Sequence, residues 1–177
     1  MLRMRFGESG KTVLTLLAFA GWLLLGVSWV MSVYAYPRLP VEMALWTSLW
    51  RSPVVRIARS FAFFIYPIVQ TALFLGSLAL AKAAFFRTPI SDPKGHLFGE
   101  KQKRRLVGLR KEVAYLALIF LNLVFIHLQT SLILVSHGLA EGINRFYFAM
   151  LLFVLLMLVP YYRVRRQMLR VDSPQAR

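Results

Sequence analysis

The 177-residue chain contains no cysteine, which excludes disulfides, thiolate metal sites and cysteine nucleophiles and leaves redox chemistry silent about compartment. Acidic residues are scarce as well. Seven Asp and Glu stand against 22 Lys and Arg. All seven (Glu8, Glu42, Asp92, Glu100, Glu112, Glu141 and Asp172) fall in connections or at the ends of apolar stretches, so no embedded carboxylate is offered to a proton or ion path. No His-Glu-x-x-His, no Gly-x-Ser-x-Gly and no pair of intramembrane aspartates occurs, and the chain is read as non-enzymatic. Gly7-Glu8-Ser9-Gly10-Lys11-Thr12 ends like a phosphate loop, but that motif needs a glycine at position 5, where Arg5 stands, and a strand before it. Ser9 or Gly10 as a helix N-cap accounts for this stretch.

What the chain has in abundance is apolar residues: 58% of the total, with mean hydropathy +0.60, more than a soluble domain of this size needs for its core. They gather in four stretches, at 12–33, 61–81, 113–136 and 146–162. A helix crossing a hydrocarbon core about 30 Å thick needs about 20 residues, so the first three suffice and the fourth is expected to continue as helix at one or both ends. The expected fold is all-α: one polytopic membrane domain of four transmembrane helices. The first stretch follows a short basic segment, as a signal peptide would, but no small-x-small cleavage site precedes Tyr34-Ala35-Tyr36, and it is read as a retained helix.

Charge gives the orientation. The segment before the first stretch, the basic loop 82–112 and the tail 163–177 together hold 17 Lys and Arg, against 5 in the two remaining connections. The positive-inside rule then sets both termini and the central loop of a multi-pass membrane protein in the cytoplasm. Net charge +15 could suggest nucleic acid, but these cations flank hydrophobic spans and lack the interleaved aromatics of a base-stacking surface. Anionic lipid headgroups are the expected partners of Lys101, Lys103, Arg104, Arg105, Arg163, Arg165 and Arg166.

Between the first two stretches, Leu45 with Leu49 and Trp46 with Trp50 repeat at four-residue spacing behind Pro37 and Pro40. That spacing predicts a short interfacial helix with Trp46 and Trp50 as anchors at headgroup level. In the central loop, Thr88-Pro89, Asp92-Pro93, Gly95 and Gly99 read as turns. From Glu100 onward Leu106, Leu109 and Val113 keep helical spacing, so the third helix is expected to begin before the membrane. The short connection 137–144 predicts an antiparallel pairing of the last two helices.

Polar side chains concentrate in the third stretch. Asn122 and Gln129, two turns apart, share a face, and Tyr66 and Gln70 of the second stretch are their expected partners across the helix interface. His127, the one histidine expected at depth, is expected to join these interhelical contacts. As a haem or quinone ligand it lacks a second axial histidine, since His137 lies near the outer end and His96 in the central loop. No cofactor and no metal site is expected.

Tyr36-Pro37-x-Leu39-Pro40, directly after a first helix and before Tyr66-Pro67 of a second, resembles the bacterial membrane proteins related to the SdpI immunity and signalling family over residues 33–73. That family carries Leu-Pro-x-x-Ile-Pro-x-His-Phe here, followed by a Gly-x-x-Asp turn. This chain has Ala44 for the second proline, Trp46 for the histidine and no Gly-x-x-Asp. The resemblance implies a small inner-membrane protein in which an ancestral ligand-binding role has been lost. The reading that follows is an accessory or scaffold subunit of a membrane assembly. Two alternatives stay open: a small ligand-binding or transport protein with its site between the second and third helices, and a haem- or quinone-binding electron-transfer subunit.

Overall fold

A computed structural model describes residues 5–47, 54–80 and 100–171 of the chain, with side chains over 12–47, 54–79 and 104–168. Helix α1 runs Arg5–Ala35, α2 Ile65–Leu80, α3 Glu100–Ser136 and α4 Arg145–Val171. Strands β1 (Glu42–Trp46) and β2 (Val55–Ala58) lie between α1 and α2, flanked by 3-10 turns at Tyr36–Arg38 and Phe61–Phe64. Four stretches, Thr12–Arg38, Phe61–Ala79, Arg104–Ser136 and Arg145–Met168, are long and apolar enough to cross a membrane.

Helix α3 is the hub, packing against α1, α2, α4 and β1. Directions follow from the contacts. Asn122 meets Gly21 and Gln129 meets Ser28, the same sequence separation of 101 both times, so α1 and α3 run parallel. Along α1, Trp22 meets Phe74 whereas Trp29 meets Thr71 and Phe64, so α2 runs the opposite way. His127 touches Tyr147 and Glu112 touches Tyr161, which makes α4 antiparallel to α3. The core is a trio, α1, α2 and α3, centred on Leu25, Phe74 and Leu118 with Trp29, Leu78 and Tyr115 around them. Helix α4 lies on the flank of α3, and only 6% of its apolar window is buried, against 39% for α3.

The helices are not level. Because His127 pairs with the first turn of α4, the remaining nine residues of α3 rise about 13 Å above the start of α4 at 1.5 Å per residue. This protruding end carries Leu132 and Val135, both 2% exposed, and is covered by the hairpin: Ala44 packs on Leu132 and Val135 with Val54, Tyr66 and Ala140 alongside. A second cluster of Leu39, Met43 and Phe63 closes over Ile133, Tyr36 and Ile57.

The interfacial helix expected between the first two spans is replaced, over its described part, by strand β1. Its partner decides. Antiparallel pairing sets Glu42 opposite Ala58, Met43 opposite Ile57 and Ala44 opposite Arg56, with a register shift between Ala44 and Trp46. The four-residue repeat of Leu and Trp would suit a helix, but Val54, Val55 and Ile57 supply a β-branched neighbour and α3 supplies an apolar wall, which an isolated short helix could not match. At the shift the ladder is broken, and side chains replace it. The Ala44 amide donates to Ser136 Oγ at 2.9 Å, and Tyr66 Oη donates to the Leu45 carbonyl at 2.6 Å.

Both ends of the α3–α4 connection are capped. Gly138 adopts φ +71°, and the amides of Leu139 and Gly138 reach back to the carbonyls of Leu134 and Val135, the double bond pattern of a Schellman end. Asn144 Oδ1 accepts the Tyr147 amide at 3.1 Å and so caps α4.

Candidate functional site

Five buried polar side chains meet where α1, α2 and α3 converge: Ser28, Ser32, Gln70, Asn122 and Gln129, none more than 1% exposed. Their arrangement follows from helical spacing. Ser28 and Ser32 are one turn apart on α1, and Asn122 and Gln129 two turns apart on α3, so each pair lines one face. Gln70 of α2 stands between them. Its amide nitrogen donates to Asn122 Oδ1 at 2.9 Å, and Asn122 Nδ2 donates to the Gly21 carbonyl at 3.0 Å. Ser32 Oγ donates to the Ser28 carbonyl at 2.9 Å.

Ser28 Oγ lies 2.6 Å from Gln70 Oε1 and 2.8 Å from the amide oxygen of Gln129. One hydroxyl hydrogen serves one acceptor. The Gln129 nitrogen is meanwhile buried with no partner. Turning this amide over lets its nitrogen donate to Ser28 and leaves the carbonyl oxygen unpaired instead, the less demanding of the two orphans. The seam then reads in one direction, Gln129 to Ser28 to Gln70 to Asn122 to Gly21, with each group polarising the next. Such a chain holds three helices in register. Its members are amides and a hydroxyl, which neither titrate near neutrality nor act as nucleophiles without a base.

Around the seam, Trp29 Nε1 donates to Thr71 Oγ1 at 3.0 Å and Thr71 donates to the Pro67 carbonyl at 2.6 Å. The expected polar pair of α2 is split: Gln70 joins the seam while Tyr66 serves the hairpin through Leu45. Ser28, Ser32 and the Gly21 carbonyl went unread in the sequence. Their signal was two serines one turn apart in an apolar helix, the small polar spacing at which transmembrane helices approach closely.

His127 stands apart from these groups. Its ring lies 4.6 Å from that of Tyr147 and its Nε2 is 3.3 Å from the Asn144 carbonyl, so it meets the cap of α4 at the end of that helix, not the buried seam. Trp46 is 58% exposed on the hairpin, and Trp50 lies outside the described residues. Arg104, Arg105, Arg163 and Arg165 are exposed and Arg166 half-buried; the side chains of Lys101 and Lys103 lie outside those described. Among the described residues no three of His, Cys, Asp and Glu converge as a metal site would require.

Comparison with models of protein families, with curated proteins and with solved structures finds no match to this chain.

Proposed function

We propose that this chain is a non-catalytic scaffold or accessory subunit of a bacterial inner-membrane assembly. The observation that carries the reading is the seam itself: apart from one atom of the Gln129 amide, the buried amides and hydroxyls at the junction of the three core helices bond one another and the backbone, at 2.6 to 3.0 Å. The Gln70–Asn122 bond crosses the space between α2 and α3 in which a ligand would have to lie, and so favours the structural role over a binding site there. Outward surface is plentiful. Only 17% of the apolar window of α1 and 6% of that of α4 is buried within the chain, which leaves broad faces for lipid and for neighbouring subunits.

Purification in a gentle detergent, followed by mass spectrometry and an absorption spectrum, tests the proposal. The expected result is one or more membrane proteins co-purifying in fixed ratio, with no pigment. A Soret band lost on His127→Gln would reject the scaffold and promote the electron-transfer alternative. Recovery of the chain alone, together with saturable binding of a small molecule abolished by Gln70→Leu, would promote the ligand-binding one.

A further inference from the structure

The densest charge on the described surface lies where α3 and α4 run together past the apolar part of α4. Their alignment is fixed at two points, His127 on Tyr147 and Glu112 with Tyr161. Arg105 precedes Glu112 by seven residues, two turns, and therefore lies on the α3 face that meets α4. Arg165 follows Tyr161 by four, one turn, on the α4 face that meets α3, with Arg166 beside it. Carrying the antiparallel alignment onward brings Arg105 within about one turn in height of Arg165 and Arg166. Arg104 flanks them on α3.

Negative charge here is scarce. Glu112 is the one acidic side chain described at this end, and its Oε1 already accepts the Tyr161 hydroxyl at 3.0 Å, with Arg165 beside the same phenol. Arg110, Lys111 and Arg163 add to the same field. Cations crowded within a Debye length of about 8 Å repel one another unless an anion joins them. The neighbouring surface says which anion. Toward the apolar stretch from Arg166, Val159 and Leu152 follow at seven-residue steps on the same face of α4 and are 53% and 37% exposed, a track for an acyl chain that a free phosphate would not use.

We propose that the α3–α4 seam binds one anionic phospholipid, its phosphate held by Arg105 and by Arg165 and Arg166, with its chains along Val159 and Leu152. Guanidinium forks from two helices match the paired oxygens of a phosphodiester, and the bound lipid clamps α4, the least buried helix, to the trio. This assignment is independent of whether the chain works within a larger assembly.

Delipidated protein titrated with phosphatidylglycerol or phosphatidylcholine of matched chains, read by native mass spectrometry, tests it. The full chain should retain the first phosphatidylglycerol about 10-fold more strongly than phosphatidylcholine, and Arg105→Gln with Arg165→Gln should bring the two within about 2-fold. The charge-matched pair Arg38→Gln with Arg56→Gln, at the opposite end of the bundle, should keep the preference. Arg105→Gln alone, at an exposed position, should lose part of it without touching the Tyr161 contact. Equal retention of the two lipids by the unaltered chain would overturn the site. So would equal losses in both charge-matched pairs, which would mean a diffuse field. Displacement of the lipid by millimolar inorganic phosphate would show a free-anion site instead.

Discussion

At the scale of single residues, the seam makes unequal demands on its members. Asn122 both accepts from Gln70 and donates to the Gly21 carbonyl, so Asn122→Leu removes two bonds and leaves the Gln70 amide nitrogen buried without its acceptor. Gln129 makes one bond and already carries one unpaired atom. Loss of an interhelical bond in a membrane protein costs roughly 1 kcal/mol, so Asn122→Leu should lower the thermal midpoint in detergent by an amount matching 1 to 2 kcal/mol, and Gln129→Met should shift it little. Equal losses at the two positions would contradict the directed chain through Ser28. His127→Gln keeps a donor for the Asn144 carbonyl and should leave the same midpoint nearly unmoved. The face shared by Asn122 and Gln129 was legible from their spacing of two turns. That Ser28 would be the atom between Gln70 and Gln129 was not, because residues about 100 positions apart meet only once the relative height of α1 and α3 is set.

At the scale of elements, the hairpin depends on two side-chain bonds made at its register shift. Tyr66→Phe removes the donor to Leu45, and Ser136→Ala removes the acceptor for Ala44. Each should loosen the hairpin by about 1 kcal/mol, and amide hydrogen exchange at Met43 through Trp46 should quicken while exchange in α3 below Gln129 stays unchanged. The end of α3 gives a second check at this scale. Gly138 sits at φ +71° with open space around it, so Gly138→Ala meets backbone strain and no clash, and should destabilise by about 1 kcal/mol. The strand itself could not be read from residues 41–50, where leucines and tryptophans repeat every fourth position. A strand is defined by its partner, and the partner here begins nine residues later, at Val55.

At the scale of the whole molecule, orientation is a matter of the charge that flanks the apolar stretches. Reporters fused after Trp50 or within 137–144 should lie outside the cytoplasm, and those near Lys94 or at Arg177 inside, from the excess of 17 cations over 5 in alternate segments. A cytoplasmic signal after Trp50 would overturn the arrangement. The two parallel helices, α1 and α3, and the two running against them agree with alternate crossings of one membrane.

Four apolar helices, a third helix beginning at Glu100 and an antiparallel pairing of the last two were determined by sequence alone, because length, hydropathy and a short connection act locally on each segment. Tertiary structure alone decided the heights. Hydropathy states that a segment can cross a bilayer, not how far its ends stand above its neighbours'. That offset is set by which side chains lock together: Asn122 under the Gly21 carbonyl on one side of α3, and Glu112 against Tyr161 on the other. It sets His127 of α3 beside the cap of α4. It also exposed the end of α3 to be covered, which is why the segment after α1 pairs as strands around Leu132 and Val135.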